Sequence, residues 1–150
     1  MHLREFFADD AINLSLQGSG KDEIIAELVA LINVDDRSAD ALLKLLRRRE
    51  SLGSTGVGRG IAIPHCRTPV VTQLRLAFGR HVAGLDYRAI DDKPVHDFFL
   101  IVAPPIEVSN QYLPVLGKIA QLAKEADVPE RLAGVATPEE FFALLKEKGV

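Results

Sequence analysis

Residues 47–65, with the sequence RRRESLGSTGVGRGIAIPH, combine three kinds of local signal. The arginine-rich start is typical of the last turn of a helix, where cations face the negative end of the helix dipole. Four glycines in residues 53–60 favour a loop with tight backbone geometry. Residues 61–63 form a short apolar run that predicts a buried strand, which we expect Pro64 to stop. The stretch therefore predicts a helix, a loop and a strand, with His65 at the end of the strand.

Helical periodicity precedes this stretch. Apolar residues in GKDEIIAELVALI recur at helical spacing, and Ser19 and Asp22 are arranged like a capping pair at its start. A second amphipathic helix is expected to begin after Ser38 as the N-cap and to end near Glu50. Two consecutive helices therefore lead into the glycine-rich loop.

Strands and further helices follow it. LRLAFGRHV at 74–82 alternates apolar and charged residues, and VHDFFLIVA at 95–103 is a continuous apolar run suited to a central strand. Ser109 is the expected cap of one later helix, and Thr137 opens a capping box for another. The pattern predicts an α/β protein with helices packed on a central sheet.

Composition limits the function classes. A length of 150 residues is typical of one domain, and 47% hydrophobic residues with a net charge of -3 argue against disorder and nucleic-acid binding. The single Cys66 indicates a reducing compartment, so we expect a cytoplasmic protein. The start MHLREFFADD lacks the apolar core of a signal peptide, and no stretch is long and apolar enough for a spanning helix.

Four histidines are candidates for chemistry, at positions 2, 65, 81 and 96. Only His65 follows a glycine-rich loop and a short strand, where a rigid sheet holds a side chain at the rim of a cleft. A neutral imidazole there would be a nucleophile near pH 7, although spacing alone is equally consistent with a structural histidine. No HExxH spacing or cysteine cluster supports a zinc site.

A phosphoryl acceptor also needs hydrogen-bond donors. Arg49 offers a bidentate contact, while Ser54, Thr55 and the amides around Gly56 are the candidates for an anion-binding nest. The arginines at 47–49 are also consistent with a solvated helix end. The loop is neither a Walker A motif nor a dinucleotide-binding glycine pattern, so nucleotide binding is not supported.

Two neighbours of His65 require comment. Arg67, like Arg59 on the other side, would raise the local positive potential. Cys66 is adjacent to His65, but neighbours in a strand point to opposite faces, which argues against a Cys-His nucleophile pair.

The stretch 47–65 resembles the signature R-E-x-x-x-[ST]-T-G-[IV]-G-x-G-[IV]-A-[IV]-P-H of the fructose/mannitol class of enzyme IIA domains. These domains belong to the bacterial phosphoenolpyruvate-dependent sugar phosphotransferase system and include the nitrogen-regulatory IIA proteins. GSGKDEIIAEL, AIDDKPVHDFFLIVAPP, YLPVLGKIAQLAKEAD and VATPEEFFALLK also follow the order of the family. The resemblance covers residues 1–150 as one EIIA type-2 domain.

The resemblance implies a phosphocarrier. His65 would accept a phosphoryl group on Nε2 from a carrier protein of the HPr type, and Arg49 would stabilise that group. The family fold is a single α/β domain with a mixed central sheet flanked by helices, and no metal, nucleotide or other cofactor is required. A stand-alone IIA also resembles the regulatory branch, whose members bind target proteins such as potassium transporters or sensor kinases.

One difference from the family pattern leaves alternatives open. Tyr112 stands where the family has a second histidine, and tyrosine can donate a hydrogen bond but cannot become a cation. Tyr112 is therefore either a site residue or part of the core of its helix. The chain itself is a regulatory phosphocarrier, a IIA subunit for a sugar-specific IIB on another chain, or a binding module without phosphotransfer.

Overall fold

The computed structural model describes residues 1–150 and shows a six-stranded sheet flanked by helices. The sheet has the order β1-β5-β6-β3-β2, and β4 also pairs with β6. The strands are β1 Phe7–Asn13, β2 Gly56–Gly58, β3 Ile61–Ala62, β4 His65–Arg67, β5 Arg75–Leu85 and β6 Val95–Ala103. The helices are α1 Lys21–Ala30, α2 Asp36–Ser51, α3 Tyr112–Lys124, α4 Val128–Ala133 and α5 Pro138–Glu147, preceded by a short 3-10 helix, Leu3–Phe6.

The sheet is mixed. β5 and β6 form its antiparallel centre, β1 runs parallel to β5, and both β3 and β4 run parallel to β6. The predicted fold class, a single α/β domain with a mixed central sheet and flanking helices, is therefore confirmed. None of the helices combines the length and apolarity needed to cross a membrane.

The two faces of the sheet bury different aromatic groups, as expected where successive side chains of a strand alternate. On one face, Phe78 of β5 stacks on Phe141 of α5 with 4.3 Å between ring centroids. On the other face, Phe98 of β6 packs against Tyr87 at 5.3 Å. Because both faces are covered, β6 can be continuously apolar from Phe98 to Ala103.

The edge of the sheet beside β6 carries the segment of greatest interest. β3 and β4 lie along β6 in one continuous register, with Ile61 opposite Asp97 and His65 opposite Ile101. Pro64 between them accepts a hydrogen bond from the N–H of Ile101 at 3.0 Å. The strand ends before Pro64, as predicted, but pairing with β6 resumes directly after it in β4, because proline lacks a donor but keeps its acceptor.

The predicted starts of the first two helices were displaced. The N-cap of α2 is Asp35, whose carboxylate accepts from the N–H of Ser38 at 2.7 Å, so Ser38 lies inside the helix. Ser19 does not cap α1, because its hydroxyl donates to Glu23 at 3.2 Å and Gly20 occupies the N-cap. At both helix starts the N-cap lies close to the predicted residue. The sequence does not single it out, because several residues within one turn could serve as the cap.

The predictions for the caps of the C-terminal helices were partly correct. α3 begins at Tyr112 after Gln111, so Ser109 is not its N-cap. Thr137 caps α5 as predicted, accepting from the N–H of Glu140 at 3.2 Å. The sequence analysis missed β1, whose segment contains two consecutive aspartates, and α4, which has only 6 residues.

Candidate functional site

His65 lies at the start of β4, just after the interruption at Pro64, and its side chain is half-buried. Its Nδ1 is 2.8 Å from the carbonyl oxygen of Ile63. A carbonyl oxygen can only accept, so Nδ1 carries the hydrogen and donates it. In the neutral ring this leaves the lone pair on Nε2, and the backbone thereby fixes the tautomer that a nucleophile requires.

Arg49 approaches the same region from the last turn of α2. Its Nη1 donates to the carbonyl oxygen of Gly53 at 2.7 Å, which ties the guanidinium to the start of the glycine-rich loop. No carboxylate lies within 4.0 Å of it, so its charge has no partner in the protein. Arg49 is therefore an oriented cation available to an anion.

Tyr112, the first residue of α3, packs on His65. The ring centroids of Tyr112 and His65 are 5.7 Å apart, and the guanidinium carbon of Arg67 lies 4.7 Å from the Tyr112 centroid. Burial raises the pKa of the Tyr112 phenol, while the charges of Arg67 and Arg49 act in the opposite direction. The phenol is therefore neutral at physiological pH. Ring contacts join Tyr112 to His65 and Arg67, and the charge of Arg49 acts on the same phenol from the end of α2.

Cys66 does not join this chemistry. Burial raises the pKa of its thiol to about 12, which keeps the sulfur protonated and poorly nucleophilic at neutral pH. This agrees with the expectation that His65 and Cys66 point to opposite faces of the strand.

The loop residues predicted as a phosphate nest have other partners. The Ser54 hydroxyl donates to the carbonyl of Tyr87 at 2.7 Å and accepts from the N–H of Gly56 at 3.0 Å. Both the hydroxyl and the N–H of Thr55 donate to the carboxylate of Glu50. These donors are already used within the protein, so the structure does not support the predicted nest at Ser54, Thr55 and Gly56.

Comparisons with known proteins show the family of this chain. A family model described as "Phosphoenolpyruvate-dependent sugar phosphotransferase system, EIIA 2" matches residues 5–148. The chain belongs to this family. Other EIIA proteins are therefore the ones with which this chain is compared.

The similar proteins are of two kinds, fructose-specific PTS components and nitrogen regulatory proteins. The chain is 40% identical over 114 residues to a "PTS system fructose-specific EIIA component" of Haloferax volcanii, covering 76% of this chain and 72% of that one. It is 29% identical over 149 residues to the "PTS system fructose-specific EIIABC component" of Bacillus subtilis, of which it spans only 23%. A crystal structure of the nitrogen regulatory protein IIA-Ntr from Neisseria meningitidis is 31% identical with a TM-score of 0.81, covering 94% of this chain and 97% of that one.

The EIIA chain also contains a buried carboxylate that sequence reasoning missed. Glu50 is 7% exposed, and besides Thr55 it accepts from the ammonium of Lys21 at 3.2 Å. That ammonium lies 4.2 Å from the centroid of the Tyr87 ring. In the sequence, the only indication of this role is that Glu50 directly follows Arg49. Consecutive side chains of a helix point in different directions, so the two lie on different sides of the helix end.

Other predicted contributors lie outside the cluster. Arg59 donates from Nη1 to the carbonyl of Lys124 at the end of α3, so the structure does not bring its guanidinium to the cluster with Arg49 and Arg67. Arg47 pairs with Asp22 at 3.5 Å, in keeping with the solvated helix end that was the alternative for this position. No group of three or more His, Cys, Asp or Glu side chains is arranged to hold a metal ion.

The arrangement supports one kind of chemistry. It combines an imidazole nitrogen with its lone pair exposed, a neutral aromatic wall and cations without carboxylate partners. Transfer of a phosphoryl group needs in-line approach and stabilisation of negative charge more than acid-base catalysis. The site therefore fits a phosphoryl acceptor better than a hydrolase.

Proposed function

We propose that this chain is a phosphocarrier that accepts a phosphoryl group on Nε2 of His65 from a phosphohistidine carrier protein of the HPr type. The observation that carries the proposal is the hydrogen bond from Nδ1 to the carbonyl of Ile63, which leaves Nε2 as the nucleophile. Arg49 stabilises the transferred group, and Tyr112 forms the wall against which the acceptor ring packs. Residues 1–150 act as one EIIA type-2 domain in the cytoplasm.

The chemistry balances without a cofactor. The lone pair of Nε2 forms a bond to phosphorus while the bond between phosphorus and the donor nitrogen breaks. The donor ring leaves as neutral imidazole, and the acceptor ring carries the positive charge with its Nδ1–H still bonded to Ile63. The reaction conserves the number of P–N bonds and releases no proton.

The negative charge of the phosphoryl group is the basis for regulating which proteins this chain binds. A phosphoryl group adds about two negative charges at pH 7, enough to create or disrupt a complementary protein interface. The likeness to nitrogen regulatory proteins supports a role in which target proteins, such as a transporter or sensor kinase, bind one phosphorylation state in preference. The exposed apolar side chains of Leu52 and Leu113, next to the elements that carry Arg49 and Tyr112, are suited to contact such partners.

The test is phosphorylation of the purified chain by phosphoenolpyruvate, the upstream enzyme and the cognate carrier. We expect wild type to gain one phosphoryl group by intact mass at alkaline pH, where phosphohistidine is stable. His65→Ala should gain none, whereas the matched control His2→Ala, an exposed histidine near the N-terminus, should behave as wild type. Equal labelling of His65→Ala and wild type would refute the assignment of the acceptor.

Two further outcomes separate the alternatives. Transfer of the phosphoryl group onward to a sugar-specific IIB protein would identify a transport subunit, a role that the likeness to a fructose-specific EIIABC component favours. Absence of phosphorylation in wild type, with recovery in Tyr112→His, would identify a binding module. That alternative rests on Tyr112, whose neutral phenol cannot supply a positive charge to the phosphoryl group.

A further inference from the structure

β4 directs two side chains toward the same face of the sheet. His65 and Arg67 are separated by one residue in a strand, so their side chains project to the same side, while the half-buried Cys66 projects to the other. The acceptor imidazole and a guanidinium are thus neighbours by the geometry of the strand alone.

Two contacts fix the guanidinium of Arg67. Its carbon lies 4.7 Å from the centroid of the Tyr112 ring, within the range of a cation-π interaction. Its Nη1 donates to the carbonyl of Pro104 at 3.1 Å. Because Tyr112 also packs on His65 with 5.7 Å between centroids, one aromatic ring positions both groups.

The charge of Arg67 is not neutralised by the protein. No carboxylate lies within 4.0 Å of it, although the sequence contains 21 acidic residues. Apart from the donor to Pro104, its N–H groups make no hydrogen bond within the protein. A half-buried guanidinium with free donors and no carboxylate partner is suited to bind an anion.

We propose that Arg67 is a phosphoryl-binding residue, held in position by the ring of Tyr112, so that Arg49 and Arg67 together bind the group on His65. The proposal rests on the proposed function and deepens it. Arg67 contacts the Tyr112 ring, and Arg49, which belongs to a different element, also lowers the pKa of the Tyr112 phenol through its charge. Two guanidiniums supply donors for two of the phosphoryl oxygens.

Tyr112 has a defined role in this arrangement. The ring supports Arg67 and contacts His65, while the hydroxyl makes no hydrogen bond within the protein. Removal of the hydroxyl in Tyr112→Phe should therefore leave phosphorylation within about twofold of wild type, because the aromatic face remains. Tyr112→Ala removes the platform and should behave like loss of Arg67.

The experiment uses phosphoramidate, a small phosphoryl donor that avoids any effect on carrier docking. In this reaction the P–N bond of phosphoramidate breaks, the Nε2–P bond forms, and ammonia leaves. Arg67→Gln should lower the rate of phosphorylation by about tenfold or more, as expected for one charge-assisted hydrogen bond. Arg67→Lys should recover part of the rate, because it restores charge without the planar guanidinium.

The matched control is Arg37→Gln, which removes the same charge from an exposed position in the first turn of α2. Arg37 lies about 18 Å along the helix from Arg49, at a rise of about 1.5 Å per residue. We expect its rate to equal that of wild type. Circular dichroism should confirm that every variant is folded.

A spectroscopic readout separates direct contact from structural support. In the phosphorylated protein, a guanidinium beside the phosphoryl group lowers the pKa of its second ionisation, so ³¹P NMR titration should show that this pKa rises in Arg67→Gln and not in Arg37→Gln. Titration of the unphosphorylated protein with inorganic phosphate should likewise show affinity about tenfold weaker in Arg67→Gln.

The results that would overturn the proposal are distinct from those that would refute the proposed function. If wild type and Arg67→Gln are phosphorylated at equal rates, bind inorganic phosphate equally and share the same phosphoryl pKa, Arg67 does not bind the group. If Tyr112→Phe loses as much activity as Tyr112→Ala, the hydroxyl and not the ring is responsible. If wild type is not phosphorylated by either donor, the phosphocarrier function fails, and phosphate titration alone then decides whether Arg67 binds an anion.

Discussion

Asp97 carries a carboxyl group that folding removes from water. The residue is 3% exposed, and its Oδ1 has no hydrogen-bond partner in the protein. Burial raises its pKa from 3.8 to about 7, and the charge of Arg80, its neighbour across β5 and β6, opposes the shift only in part. The folded protein therefore retains a proton that the unfolded chain has already lost in mildly acidic solution.

This difference predicts that the stability contributed at Asp97 decreases as pH rises. Between pH 3.8 and about 7 the folded state binds the extra proton, so the free energy of unfolding should fall by about 1.4 kcal/mol per pH unit from this residue. Asp97→Asn should remove that slope and be more stable than wild type at pH 8. Urea denaturation from pH 5 to 8 measures it, with the exposed Asp40→Asn as control, and an unchanged slope in Asp97→Asn would contradict the prediction.

Some residues of the candidate site were easier to predict from the sequence than others. Arg49 and Tyr112 lie at the ends of helices whose positions the apolar pattern already indicates, and His65 follows the apolar run at 61–63. The anion nest predicted at Ser54 and Thr55 is not supported, because both hydroxyls have partners in the protein: Thr55 donates to the nearby Glu50, and Ser54 to a residue distant in the sequence. The Ser54 acceptor on Tyr87 is 33 residues away, and sequence spacing does not reveal such a contact.

At the scale of elements, the end of α2 performs two tasks with consecutive residues. Arg49 binds the start of the glycine-rich loop through the carbonyl of Gly53, while Glu50 is buried and holds the same loop through both donors of Thr55. Glu50→Gln keeps one acceptor oxygen and loses the charge that pairs with Lys21. Since Lys21 retains partial contact with water, we expect a loss of about 1–3 kcal/mol in unfolding free energy.

Thermal denaturation tests this prediction for Glu50→Gln. Glu139→Gln, an exposed position in the first turn of α5, is the matched control and should change stability by less than about 0.5 kcal/mol. The rate of phosphorylation of the Glu50 variant should also fall, because the loop that receives the Arg49 guanidinium loses its anchor. Equal stability of the two variants would show that the buried carboxylate does not hold the loop.

Element types were easier to predict than element boundaries. β6 coincides with the apolar run at 95–103, and the Thr137 capping box opens α5 as expected, because both signals are local and strong. β1 was missed because it is an edge strand with four residues half-buried or buried and two aspartates at its centre. Its place in the sheet depends on pairing with β5, which its own sequence does not encode.

At the scale of the whole molecule, a cluster of phenylalanines joins the last helix to the sheet. Phe141 of α5 is fully buried and packs on Phe78 at 4.3 Å, on Phe7 at 5.6 Å and on Phe99 at 6.2 Å between centroids. These partners lie on β5, β1 and β6, so one side chain links three strands to the C-terminal helix. The sequence predicted Phe141 as apolar and helical, but not that it is the centre of this face of the core.

Phe141→Ala should therefore destabilise the whole fold. We expect a loss of about 3–5 kcal/mol, since removal of a buried aromatic ring combines lost transfer free energy with the cost of a cavity. Urea unfolding followed by both fluorescence and circular dichroism should show one coincident transition at a lower midpoint. Leu113→Ala, at a side chain that is 67% exposed, is the control and should change stability by less than about 0.5 kcal/mol. Below the transition, phosphorylation of His65 should proceed as in wild type, because Phe141 does not contact the acceptor site. A second transition, or a loss below 1 kcal/mol, would mean that α5 folds independently of the sheet that carries the site.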